Sequence, residues 1–285
     1  MSNLSPVFPS DSPPSRLLQD VARDARCSVI CGIPGAGKSL LVREQILIAR
    51  GLGRSVHCLQ WDRSRLVFDQ PQILARYPEI DNVTHPVLRR AAGLWVRGAV
   101  ADWFASHSDS KHLLVVEAPF VGGRFIELAV PGEDAAERFL AADSTRFLVP
   151  QPTREVRSAL EAARARDSAH HRHALDAKSA PPALAEANWK QLLASADVLG
   201  ITRDRSDSSY SPEVYFAVYR HLLRHRRVDA LPVSQLVRVA SSAHELGENL
   251  SLLAPTDTDA VHLVNVVENS GVDHADRATE AWYDY

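Results

Sequence analysis

The stretch Gly32-Ile-Pro-Gly-Ala-Gly-Lys-Ser39 decides the fold, because it fits the pattern G-x-x-x-x-G-K-[ST] at every fixed position. The apolar run Val29-Ile30-Cys31 before it predicts a buried strand, and Leu40 to Arg50 after it predicts a helix. Strand, glycine-rich loop and helix in this order direct backbone N–H groups and the positive end of the helix dipole toward phosphate oxygens. The sequence therefore predicts a site for a nucleoside triphosphate.

The residues of this loop have distinct predicted roles. We expect Lys38 to reach the β- and γ-phosphates of ATP and the Ser39 hydroxyl to bind Mg²⁺, so ATP and Mg²⁺ are the predicted cofactors. The remaining predicted nucleotide contacts are Gly32, Pro34, Gly35, Ala36, Gly37 and Leu40. A glycine-rich turn that only links strand and helix is the alternative, and the matching context on both sides disfavours it.

Length and composition bound the class of protein. The chain has 285 residues, of which 45% are hydrophobic, enough for one large α/β domain with insertions or for two small domains. Its formal net charge of -3 gives no global electrostatic support for nucleic-acid binding. We find no run of about eighteen apolar residues and no signal-like start. Cys27, Cys31 and Cys58 lack C-x-x-C spacing, so we expect free thiols and a cytoplasmic location.

Two predicted strands lead into acidic residues. Ser55 to Trp61 predicts a second strand followed by Asp62, and His112 to Glu117 predicts a third strand in the form of a Walker B strand. Ligands bind at the carboxyl ends of parallel strands, so Asp62 and Glu117 are candidates for the general base and for Mg²⁺ support. The alternative is that each carboxylate only caps its strand end, or that Asp62 pairs with a neighbouring arginine.

Basic residues near these strand ends are predicted to bind substrate. Arg63 follows Asp62, and Arg124 ends the tight loop that begins at Ala118, whose paired glycines permit close backbone approach to a ligand. With Asp62, they form the predicted acceptor site.

Other charges nearby are expected to be solvated. Arg89 and Arg90 fall in a helix predicted to start at Pro86, and we expect them to lie on its solvent face. Glu127 is expected to be an ordinary surface carboxylate.

Positive charge concentrates after the predicted fourth strand, Thr145 to Pro150. The helix predicted from Arg154 to about Arg172 carries Arg154, Arg157, Arg164 and Arg166. A solvated helix explains some of these charges, and an arginine-bearing lid at about residues 160–185 better explains their position. A metal role for His170 to His173 is disfavoured, because adjacent histidines on a helix point in different directions.

The order of elements predicts the fold. With a fifth strand at Val228 to Val233, strands and helices alternate, which favours an α/β, doubly wound, mainly parallel five-stranded sheet. The predicted domain plan is a flexible N-terminal arm at 1–15, a core with its lid at 16–240, and a C-terminal helical extension packed on the core at 241–285. That extension is the predicted place for any protein partner.

Residues 27 to 236 resemble the P-loop small-molecule kinases within the P-loop NTPase superfamily. That group includes nucleotide and nucleoside kinases, adenylylsulfate kinase and zeta-toxin-like phosphotransferases. Gly32 to Ser39 is the one specific motif, and the rest of the resemblance is the order and placement of elements. The resemblance implies that Arg164 and Arg166, with Arg157 and Arg172 in reserve, stabilise the transferring phosphoryl group, and that Asp62 or Glu117 activates the acceptor hydroxyl.

The expected function is transfer of the γ-phosphoryl group of Mg-ATP to a small-molecule hydroxyl, nucleotide-like, nucleoside-like or other. One alternative is a non-kinase P-loop ATPase or nucleotide-dependent switch acting with a macromolecular partner, which the Walker-B-like strand and the residues after 240 favour. The absence of a second acid directly after Glu117 argues against it. The other alternative is a module that binds nucleotide without turnover.

Overall fold

A parallel sheet organises the computed structural model, which describes residues 4–81, 83–167, 182–201, 204, 206–237, 242–247 and 250–285, without the side chains of 164–167 and 182. Within these residues the sheet has six strands: β1 Cys27–Cys31, β2 Ser55–Gln60, β3 His112–Ala118, β4 Thr145–Pro152, β5 Val228–Val233 and β6 Ser251–Leu253. Their spatial order is β5-β4-β1-β3-β2-β6, and every neighbouring pair is parallel.

Helices cover both faces of the sheet. They are α1 Pro13–Asp24, α2 Lys38–Gly51, α3 Trp61–Leu66, α4 Pro71–Leu74, α5 Pro86–Ser106, α6 Glu137–Leu140, α7 Arg154–Asp167, α8 Pro182–Val198, α9 Pro212–Leu222, α10 Asp257–Asn269 and α11 Val272–Glu280. Successive β1 side chains enter opposite layers: Ile30 packs in the layer with α1 and α2, whereas Val29 and Cys31 pack in the layer with α5, α9 and α10. None of the described helices is long and apolar enough to cross a membrane.

The doubly wound α/β class with a parallel sheet is confirmed, and the strand count of five is wrong. The additional strand, β6, lies at the sheet edge and pairs with β2 from His57↔Ser251 to Leu59↔Leu253. A strand of three residues carries too little alternation to be recognised in the sequence. It belongs to the segment 241–285, whose other described elements, α10 and α11, pack against α5.

The second strand is one residue shorter than predicted, because α3 begins at Trp61. The Ser64 hydroxyl donates a hydrogen bond to the Gln60 carbonyl at 2.9 Å, which closes the first turn of that helix. Asp62 therefore lies in a helical first turn rather than in an extended strand end.

Part of the predicted N-terminal arm lies against the core. The N–H groups of Val7 and Phe8 donate to Glu44 Oε2 at 2.8 and 3.1 Å, and the Phe8 ring is buried. α1 then begins at Pro13, with proline in its first turn, where the missing N–H has no cost.

Candidate nucleotide and acceptor site

The glycine-rich loop lies at the carboxyl end of β1, between β3 and β4. The chain places β2 and β3 on one side of β1 and β4 and β5 on the other, so strand order reverses here. Gly35 and Gly37 have φ values of 83° and 84°, a left-handed conformation that favours glycine. α2 begins directly after Gly37. In an open α/β sheet, such a reversal point is where ligands bind.

Lys38 and Ser39 occupy the first turn of α2. Lys38 is buried, and its Nζ donates to the Ile33 carbonyl at 3.2 Å, across the glycine-rich loop. The Ser39 hydroxyl donates to Glu117 Oε1 at 3.1 Å. Strand register places Glu117 near the carboxyl end of β1, where it pairs with Ile30. The structure thus brings together the two predicted Mg²⁺ ligands.

Gln60 is a site residue that the sequence analysis missed. Its Nε2 donates to Glu117 Oε2 at 2.8 Å, while Arg63 Nε donates to its Oε1 at 3.0 Å. Gln60 and Glu117 are register partners on β2 and β3. Neither strand alone indicates this contact, because Gln60 and Glu117 become neighbours only when β2 and β3 pair. The amide fixes one carboxylate oxygen of Glu117, and the other meets Ser39.

Asp62 has a shifted ionisation. Burial and, after it, the negative charge of Glu117 raise its pKa to about 6, although Lys38, Arg65 and Arg124 oppose the shift. A carboxyl group with this pKa accepts a proton well near neutral pH. Of the predicted acidic candidates, Asp62 has the better properties of a base and Glu117 the better position for a metal ligand.

Arg124 lies beside a second arginine, Arg89. Both side chains are buried, and their described hydrogen-bond partners are uncharged oxygens: Val121 O and Asn188 Oδ1 for Arg124, and Thr84 O and Gly122 O for Arg89. Burial and, after it, the charge of Arg124 lower the pKa of Arg89 to about 9. The two guanidiniums are therefore candidates for binding an anionic group.

Two expectations about charges near this site are wrong. Arg89 is buried rather than solvated. Glu127 is buried rather than at the surface, and the partly exposed Arg90 forms an ion pair with it, 2.7 Å from Nη1 to Oε1. The cause is Gly93 on α5, where a Cβ would lie 1.8 Å from Glu127 Oε2. The missing side chain leaves the space that the carboxylate fills.

α7 crosses the glycine-rich loop. A Cβ at Gly35 would lie 3.8 Å from Glu161 Oε1, and a Cβ at Gly37 would lie 4.0 Å from Leu160 Cδ1. Arg157 of the same helix is buried, with its Nε donating to Glu161 Oε1 at 2.8 Å. Glu161 and Leu160 of α7 therefore lie against the glycine-rich loop, with Arg157 held beside Glu161.

The rest of the predicted lid falls partly outside the described residues. This applies to the side chains of Arg164 and Arg166, to residues 168–181 of the lid predicted at about 160–185, and to Arg172. Their roles stay predictions.

Comparison with protein-family models, with curated proteins and with solved structures finds no match of significance for this chain.

Proposed function

We propose that this chain is a P-loop phosphotransferase that moves the γ-phosphoryl group of Mg-ATP to a hydroxyl group of a small acceptor. The observation that carries the proposal is the contact of the Ser39 hydroxyl with Glu117 Oε1, beside Lys38 and an Asp62 of raised pKa. Phosphoryl transfer needs phosphate positioning, charge neutralisation and a base, and these four side chains supply them in one place.

The nucleotide side of the reaction follows from the loop. Backbone N–H groups of the glycine-rich loop and the start of α2 would hold the phosphates, and Lys38 would exchange its bond to the Ile33 carbonyl for phosphate oxygens. The hydroxyl of Ser39 and the carboxylate of Glu117 are hard oxygen donors that fit Mg²⁺. Bound there, Mg²⁺ would offset the charge of the β- and γ-phosphate oxygens. Gln60 keeps Glu117 oriented throughout.

The acceptor side rests on Asp62 and the two buried arginines. Asp62 accepts the proton of the acceptor's hydroxyl group while the oxygen of that hydroxyl forms a bond to the γ-phosphorus. The bond between the γ-phosphorus and the β–γ bridging oxygen breaks at the same time, which releases ADP. The guanidiniums of Arg89 and Arg124 favour an acceptor that carries an anionic group, such as a phosphate or carboxylate, besides the reacting hydroxyl. Arg63 stays a predicted substrate contact, and the structure gives it the further task of holding Gln60.

α7 supplies the positive charge for the transferring group in this proposal. Arg157 is the candidate for which the described side chains give most support, because its partner Glu161 lies against Gly35. Arg164 and Arg166 stay proposed as further arginines of the same helix. Closure of α7 over the nucleotide would exclude water and so favour phosphoryl transfer over hydrolysis.

The deciding experiment identifies the product. Purified protein, ATP and Mg²⁺ are incubated with a small-molecule cell extract, and mass spectrometry compares phosphorylated species with those formed by Lys38→Ala. New species that need Lys38 and carry a second anionic group would support the proposal. Conversion of ATP to ADP without any new species would contradict it and favour a P-loop ATPase with a macromolecular partner, for which the extension at 241–285 is the proposed contact.

ATP binding without any turnover in the same assay would also contradict the proposal. It would instead favour a module that binds nucleotide and acts through its conformation. A cytoplasmic location accords with each of these three functions and stays a proposal.

A further inference from the structure

Three histidines meet near the amino-terminal ends of β2 and β3, whereas the glycine-rich loop lies at the carboxyl end of β1 in the same parallel sheet. His57 lies on β2, His112 is the first residue of β3, and His107 follows the last turn of α5. All three are partly buried. Because this end of a parallel sheet is remote from its ligand-binding end, the proposed phosphoryl transfer does not use them.

The distances between the imidazoles suit a shared metal ion. One nitrogen from each ring lies within 4.8 Å of the nitrogens of the other two, and His57 Nε2 is 3.1 Å from His112 Nδ1. Two imidazole nitrogens bound to one tetrahedral Zn²⁺ at 2.0–2.1 Å lie about 3.3 Å apart. Small rotations of the rings would bring the three nitrogens to that spacing.

The surroundings of His107 also suit a ligand. Its Nδ1 lies 2.9 Å from the Trp103 carbonyl, as an N–H donor to that oxygen would, and the indole of Trp103 stacks on its ring at a centroid distance of 5.1 Å. A backbone carbonyl that fixes the tautomer of a histidine is the usual outer support of a metal ligand. Arg26 donates to the carbonyls of His107 and Ser108 and so holds this turn in place.

A hydrogen bond between His57 Nε2 and His112 Nδ1 is the alternative explanation for this cluster. Such a bond accounts for two of the rings, but not for the nitrogen of His107 that lies within 4.8 Å of both.

We propose that His57, His107 and His112 bind one Zn²⁺ ion, with water as the remaining ligand. The ion would join the carboxyl end of α5 to β2 and β3. Such a cross-link would stabilise the fold. The proposal is independent of the function proposed above.

The first test uses a chain whose three histidines are intact. The tract His170 to His173 also contains histidines, so it is removed in the variant His170→Ala/His171→Ala/His173→Ala. After stripping with a chelator, this variant is expected to bind one Zn²⁺ per chain in competition with a chromogenic chelator, and to give the visible spectrum of nitrogen-bound tetrahedral Co²⁺. Failure of this variant to bind either ion would overturn the proposal.

The second test assigns the ligands. In the same background, His107→Gln and His112→Gln are each expected to weaken zinc binding by tenfold or more, and to abolish the rise in Tm that zinc produces. His262→Ala, at an exposed position of α10, is the matched control and should change neither quantity. Circular dichroism checks the fold of each variant. Unchanged zinc affinity in folded His107→Gln and His112→Gln would place the ion elsewhere and overturn the assignment.

Discussion

Asp62 is the residue at which the proposed chemistry and the stability of the fold have opposite requirements. Burial next to Glu117 raises its pKa to about 6, so the fold disfavours the ionised form. An acid with a folded pKa above its unfolded value lowers the free energy of unfolding once the pH exceeds the unfolded pKa, and this cost persists at neutral pH. A protein has a reason to keep such a group where it serves as a base.

Asp62→Asn is expected to separate these two effects. Loss of the base should lower kcat by about 10²–10⁴-fold, because general-base catalysis contributes that much. The free energy of unfolding at pH 7 should rise, since the asparagine carries no buried charge. The measurements are steady-state kinetics and urea unfolding of both proteins at pH 7. A less active variant that is also less stable would assign Asp62 a structural role.

The pH dependence of the native protein checks the same assignment. Turnover should fall as the pH drops through about 6, where Asp62 becomes protonated, with a plateau above it. The residual activity of Asp62→Asn should lack this step. If turnover falls near pH 6 in both proteins, a group other than Asp62 causes the pH dependence.

At the scale of elements, the sequence predicts a helix start correctly but not the pairings between elements. α5 begins at Pro86 as predicted, because a proline after a capping residue specifies a helix start locally. β5 spans the predicted Val228–Val233. The bond from Gln60 to Glu117 depends on strand register, a property of the assembled sheet that neither strand encodes alone.

Gly93→Ala tests how α5 makes room for the buried carboxylate of Glu127. In α5 the added methyl group would collide with the Glu127 carboxylate, so we expect the free energy of unfolding to fall by about 1–3 kcal/mol. Gly98→Ala on the same helix meets no atom within 4 Å among the described residues and should gain up to about 1 kcal/mol from helix propensity. Urea unfolding measures both. Equal changes in the free energy of unfolding for the two substitutions would show that helix propensity alone, and not contact with Glu127, determines the effect of Gly93→Ala.

Glu161→Gln tests the position of α7 over the glycine-rich loop. A carboxylate beside Gly35 repels phosphate, so its removal should tighten ATP binding several-fold at low salt, with a smaller gain at high salt. Glu155→Gln removes the same charge from an exposed position of α7 and should leave affinity unchanged. Calorimetric titration with ATP compares the three proteins. An equal gain in both variants would indicate a general charge effect rather than contact with the loop.

At the scale of the whole molecule, the C-terminal segment completes the sheet and supports the acceptor side. β6 extends the sheet beyond β2, and α11 packs on the 3₁₀ turn Val121–Gly123 that precedes Arg124. A Cβ at Gly123 would lie 3.4 Å from the backbone of Thr279 on α11. The negative charge of Asp276, on the same helix, opposes the lowering of the pKa of Arg89. The segment predicted to be a C-terminal extension packed on the core thus lies against the proposed acceptor site.

Trp282→Ala tests whether this support matters for function. The Trp282 side chain is fully buried, so its loss should lower the free energy of unfolding by about 3–5 kcal/mol. Because α11 would then pack loosely on the turn before Arg124, the KM for the acceptor should rise more than the KM for ATP. Leu252→Ala, at a largely exposed position of β6, is the control and should cost less than about 0.5 kcal/mol. If the two KM values rise equally, the segment stabilises the fold as a whole and has no particular part in acceptor binding.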